Sequence, residues 1–109
     1  TTEVLATIKL TNLGGSERID VVLDYEITNS FGEAVLSKGE TVAIETQASL
    51  VRYFTLPEML PPGYYSINVI VSSLDGKTYA VANDSFEIPD ASKSNGFFSK
   101  AFSQILRLF

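Results

Sequence analysis

The chain has 109 residues, 45% of them hydrophobic, with seven Phe, five Tyr and 19% charged residues; this composition supports one folded domain with an appendage and excludes a disordered chain or two ordinary domains. It contains neither Cys nor His, which excludes disulfides, thiolate zinc sites, the usual neutral-pH proton shuttle and the base of most nucleophile triads. The net charge of −5 is unevenly divided: residues 1–90 hold all thirteen acids and five of the eight cations, for −8, and residues 91–109 hold three cations and no acid, for +3.

An acidic body repels phosphate, so no nucleic-acid partner is expected. A catalytic role and a cofactor are not expected either. No stretch reaches the roughly 20 continuous apolar residues of a membrane-spanning helix. The chain opens "TTEVLATIKL", without an initiator Met or a signal-peptide pattern, and reads as a processed or trimmed start.

In chain order, the first predicted strand is "EVLATIKLT", where Val4, Ala6, Ile8 and Leu10 alternate with other residues; "NLGGS" then signals a turn. Two glycines there lack the strand-to-helix setting and the lysine of a phosphate loop. The clearest period of two follows in "ERIDVVLDYEIT". Ile19, Val21, Leu23, Tyr25 and Ile27 take one face, and Arg18, Asp20, Val22, Asp24 and Glu26 the other. Asp20, Asp24 and Glu26 thus share a wet face at a spacing of about 6.7 Å, close enough for acid–base work or a hard cation. With no glycine-rich calcium loop and no second acidic cluster, they read as a solvated face.

"EAVLSK" and "ETVAIET" are predicted as two strands separated by a turn at "SKGE", and "SLVRYFTL" as a further strand after "ETQAS". "GYYSINVIVSS" alternates through Tyr65, Ile67, Val69 and Val71. Asp75-Gly76 then supplies the positive φ angles of a hairpin, so this run is expected to pair antiparallel with "KTYAVA". The ligand series of a calcium loop stops after Lys77. "DSFEIP" is the eighth run, and across its start Asn83-Asp84-Ser85 fits the N-glycosylation acceptor pattern, making Asn83 the candidate modification site. Tyr53, Tyr64, Tyr79 and Phe31 are candidates for an aromatic platform facing sugar rings or peptide, although strands also use aromatics for cross-strand packing.

Seven or eight short alternating strands predict an all-β fold, a two-sheet antiparallel sandwich over residues 1–89, with a closed barrel as the structural alternative. Residues 90–95 read as a polar linker. From there the period becomes 3.6, and residues 96–109 are predicted as an amphipathic α-helix. Phe97, Phe98, Phe102, Ile105, Leu106 and Phe109 fall on one half of the wheel, and Lys100 and Arg107 on the other. Such a helix is marginal alone in water and must be covered. Its own sandwich, an anionic membrane surface, and a protein partner or second copy are the three candidates.

"ATIKLTNLGGSERIDVVLDYEI" followed by "TLPEMLPPGYYSINVIV" resembles the immunoglobulin-like and fibronectin-III-like modules of prokaryotic surface proteins, in particular CARDB-type cell-adhesion-related domains. Asn12 and Gly14 match the turn that ends the family's first strand; Leu60, Pro61, Pro62, Gly63 and Tyr65 match the signal before a late strand. The resemblance covers residues 3–88. It implies an immunoglobulin-like sandwich, an exported or cell-surface, non-catalytic structural or adhesion module, and a corner hydrogen bond from Tyr65 to backbone. A carbohydrate-binding accessory domain of a secreted hydrolase is the second functional expectation.

Overall fold

The computed structural model describes residues 2–12, 17–57, 60–90 and 98–108, the last of these as backbone together with Leu106. Among them are seven strands: β1 (Thr2–Asn12), β2 (Ile19–Asn29), β3 (Ala34–Ile44), β4 (Gln47–Thr55), β5 (Gly63–Ser73), β6 (Thr78–Ile88) and β7 (Phe98–Leu108). They form two sheets, one in the order β4-β1-β7 and one in the order β3-β2-β5-β6. Every pairing is antiparallel except β1 with β7, which is parallel. The architecture is an all-β sandwich.

The alternation read from the sequence sets which face is buried. Val4, Ala6, Ile8 and Leu10 of β1 pack with Val21, Leu23, Tyr25 and Ile27 of β2 and with Tyr65, Ile67, Val69 and Val71 of β5 in one apolar core. Most of these side chains have no solvent exposure. A slip of one residue in any of these strands would turn its whole apolar set outward, so the register is strongly specified.

Two strands are longer than the sequence suggests. "SKGE" is not a turn: Lys38, Gly39 and Glu40 lie mid-way along β3, opposite Tyr25, Asp24 and Leu23 of β2. Lys38 and Glu40 share the core-side parity of β3 with Leu36, Val42 and Ile44. Charges on that side of an edge strand break the hydrophobic alternation and discourage edge-to-edge association, which is why the run looks interrupted in the sequence. "KTYAVA" and "DSFEIP" likewise join into the single edge strand β6, whose core-side parity passes through Asp84. The hairpin at Asp75-Gly76 is present, with Gly76 at φ 96° and the Gly76 amide donating to the Ser73 carbonyl at 3.1 Å.

The C-terminal segment differs most from the sequence expectation. Where the 3.6-residue period points to a helix over 96–109, Phe98–Leu108 forms strand β7, in register with β1 from Thr2↔Phe98 to Asn12↔Leu108. Beside β4, β1 leaves one row of backbone donors and acceptors open, and an eleven-residue ladder satisfies them. A lone helix of this length gains no comparable partner. Leu106, opposite Leu10, is buried in the core. The site residues Phe98, Lys100, Phe102, Ile105 and Arg107 therefore lie on a strand, while Phe97, Phe109 and most of the expected linker fall outside the described residues, as does the turn at 13–16.

Candidate functional site

Among the described residues, two places on the sandwich bring together chemistry-bearing side chains. The first is the seam where β3 passes to β4 through the two residues Glu45 and Thr46, carrying the chain from one sheet to the other. Glu40 on β3 and Arg52 on β4 meet here. The Arg52 guanidinium grips the Glu40 carboxylate with two hydrogen bonds of 2.7 Å, and the Tyr25 hydroxyl of β2 donates to Glu40 Oε2 at 2.6 Å. The Tyr25 ring is buried and lies 5.1 Å from the ring of Phe54. The network thus fastens the edges of both sheets over an aromatic pair.

The two hydrogen bonds from Arg52 hold the Glu40 carboxyl below its ordinary range, against partial desolvation that pushes it up; the Tyr25 hydroxyl also favours the charged form. Burial first, and the hydrogen bond to Glu40 second, push the Tyr25 hydroxyl far up. The folded Glu40 binds its proton less readily than the unfolded chain does. Its contribution is therefore complete above its ordinary value of 4.5 and is lost as the pH falls through the lowered folded value. Tyr25 acts at the other end: its contribution is complete below its ordinary value of 10.0 and fades as the pH rises beyond it.

Glu40→Ala is expected to cost about 2 kcal/mol at pH 7, because it strands the buried Tyr25 hydroxyl and frees a half-exposed Arg52. Urea melts of both proteins from pH 3 to 7 measure this. The gap should narrow as the pH falls below 4.5, and a gap independent of pH would show that the carboxylate charge is not what matters.

The second place is one pole of the sandwich, where the β2–β3 turn meets the segment before β5. Asn29 builds the turn: its Oδ1 accepts from the amides of Phe31 and Glu33 at 2.9 and 3.0 Å, with Gly32 at φ 81°. That geometry leaves the Phe31 ring at the tip, 86% exposed. Across from it, Tyr65 fixes the incoming segment. Its buried ring stacks on Phe86 with centroids 6.0 Å apart, and its hydroxyl donates to the Pro61 carbonyl at 2.7 Å, four residues upstream. Tyr64, next in sequence to Tyr65, points the other way and is 66% exposed. Phe31, Tyr64, Leu60, Pro61, Pro62 and Val35 line a shallow cleft of about 140 Å³, less than the roughly 300 Å³ at which drug-sized ligand pockets begin.

Only part of the predicted aromatic platform is assembled. Phe31 and Tyr64 share this cleft. Tyr53 projects from β4 in the other sheet, and Tyr79 packs partly buried against the core. Asp20, Asp24 and Glu26 lie exposed along β2, Asp20 paired with Arg18 at 3.1 Å. Gly39 leaves room for Asp24, since a Cβ there would stand 3.0 Å from Asp24 Oδ1. Among the described residues, no three acidic side chains converge to hold a metal ion. Asn83 is exposed on β6, opposite Asn68 of β5.

Sequence reasoning missed the seam. Glu40 opens the alternating run "ETVAIET" next to the expected turn and Arg52 sits twelve residues on in the weakly alternating "SLVRYFTL", and a Glu and an Arg on the core-side parity of two successive edge strands would have been the signal. In comparisons with known proteins, no family model, no curated protein and no solved structure matches the chain.

Proposed function

We propose that this chain is a non-catalytic structural or adhesion module of an exported or cell-surface protein, with an immunoglobulin-like arrangement of its sandwich. The observation that carries the reading is its shape. The molecule measures 52 × 22 × 17 Å and has a radius of gyration of 15.3 Å, against about 13 Å for a compact domain of this length. The parallel β1–β7 pair places Thr2 at one pole and Leu108 at the other. A stiff unit entered at one end and left at the other spaces whatever adjoins it, and presents its sheet faces sideways and its loops at the poles.

The test is labelling of the exposed Lys9 and Lys38 by a membrane-impermeant amine reagent on intact cells that produce the protein natively. Labelling before lysis supports the reading, and labelling only after lysis refutes it. Binding of the C-terminal segment to an anionic membrane as an amphipathic helix would require β7 to leave β1. Co-sedimentation of the full chain with vesicles containing phosphatidylserine, absent for a chain ending at Asp90, would favour that role.

The exposed pair of Phe31 and Tyr64 beside one cleft favours a second reading, a carbohydrate-binding accessory domain. A bound glycan raises the melting temperature by mass action. Soluble oligosaccharides that leave the melting temperature of the full chain unchanged while Phe31→Ala also changes nothing would dispose of it.

A further inference from the structure

We infer that the outward face of the β4-β1-β7 sheet is a self-association surface, on which a second copy of the chain packs face to face about a twofold axis. The two outward sheet faces differ in kind. On the four-stranded sheet β2 alone turns Asp20, Asp24 and Glu26 outward, and a face so charged keeps its water. On the three-stranded sheet, Glu3 and Lys9 are the two charged residues at the outward positions of β1 and β4. Between them lie two rows, Leu5 beside Tyr53 and Thr7 beside Val51. Tyr53 is 69% exposed and Val51 49%, while Leu5 is half-buried. The register continues the rows from Glu3 to Lys9 onto β7 with Ser99, Ala101, Ser103 and Ile105, all uncharged. An uncharged centre that holds a Tyr and aliphatic side chains, flanked by charges, has the composition of a protein interface.

The occupant is a second copy because the charges of this face are complementary to themselves. Glu3 and Lys9 stand six residues apart on one strand, about 20 Å at roughly 3.3 Å per residue, too far to pair within the chain. A twofold axis between two such faces, perpendicular to the strands and midway between the Leu5 and Thr7 rows, reverses the strand direction. It sets Glu3 over the second copy's Lys9 at both ends and Tyr53 over the second copy's Val51. The area suffices for a weak dimer. Eleven residues by three strands make a face about 36 Å long and about 14 Å wide. Two of them bury about 1,000 Å², the lower bound of specific interfaces.

Association edge to edge is opposed. β3 carries Lys38 and Glu40 on the core side of its edge, and on β4 the Arg52 guanidinium donates to the Val51 carbonyl at 2.9 Å. Charges placed this way hinder the addition of a further strand, whereas nothing of the kind guards the middle of the face.

Sedimentation equilibrium of the full chain from about 1 μM to about 1 mM should show the mass rising from 11.9 kDa toward twice that value. Tyr53→Glu is expected to weaken the dimer about tenfold or more. It should leave the melting temperature of the dilute chain unchanged, because the Tyr53 side chain meets mostly water in a single copy. Tyr64→Glu, at an equally exposed Tyr away from this face, should leave the dimer as it was.

The charge pair supplies the second measurement. Glu3→Lys or Lys9→Glu alone sets like charges face to face and should weaken the dimer, and the double exchange should restore it. Repulsion between net charges would instead make Glu3→Lys, which lowers the negative charge of the chain, associate more tightly. A chain that stays monomeric throughout, a mass that climbs past the dimer, or a Glu3→Lys dimer tighter than the original would overturn the inference. If a monomeric chain sediments with phosphatidylserine vesicles and Tyr53→Glu abolishes this, the face serves a membrane and the dimer is refuted.

Discussion

A chain ending at Asp90 is expected to be less stable than the full chain by about 3 kcal/mol, a fall in melting temperature of roughly 12–24 °C at 4–8 °C per kcal/mol for a domain of this size. The truncation removes β7 and with it the buried Leu106, whose side chain contributes about 1.5–3 kcal/mol by leaving water. It also returns one side of β1 to solvent and reopens the core over Leu10, opposite Leu106 in the register. The conformational freedom recovered by the deleted strand offsets part of this, which keeps the loss to a few kcal/mol. Calorimetry on both proteins reads the difference. If the two melt together, β7 contributes nothing to the sandwich and the amphipathic pattern of residues 96–109 must serve another surface.

The second large effect is expected at Leu23. It lies mid-way along β2, one of the two inner strands of the four-stranded sheet, and has no solvent exposure. Leu23→Ala removes most of a side chain from a core with little freedom to collapse, and the expected cost is about 2–5 kcal/mol. Three residues along the same strand, Glu26 is exposed on the opposite face, and Glu26→Gln should stay within about 0.5 kcal/mol of the original protein. Paired denaturant titrations test face and register together. Comparable losses at both positions would mean that the assigned parity of β2 is wrong.

β2 shows why so much of the fold was legible in the sequence. Five apolar residues alternate with five mostly charged ones, and only a strand with one dry and one wet face sorts them. The same holds for β1 and β5. Together with the Asp75-Gly76 hairpin, these runs specify a two-layer sandwich. Tyr65 was legible too, through the proline and glycine signal that precedes it.

β3 shows the limit. Local pattern breaks it at Lys38-Gly39, because a charged residue on the core-side parity looks like an interruption. Only the presence of β2 alongside, and of Arg52 across the seam, makes Glu40 a good occupant of that parity. The Tyr25–Glu40–Arg52 network joins residues from three strands in two sheets, and no spacing along the chain announces it. Phe31 and Tyr64, thirty-three residues apart, come to one cleft for the same reason.

The last segment is the sharpest case. Its local pattern favours a helix, since at a period of two Phe98, Phe102, Leu106 and Leu108 share their parity with Lys100 and Gln104. Its place as β7 depends on the open edge of β1, about ninety residues earlier in the chain. The sequence by itself determined the strands with strong alternation, their buried faces and the sandwich they build, because those follow from hydrophobic burial along each strand. The tertiary structure alone decided the seam, the cleft and the parallel terminal pair. Each of these rests on backbone or polar groups whose partners come from elsewhere in the fold.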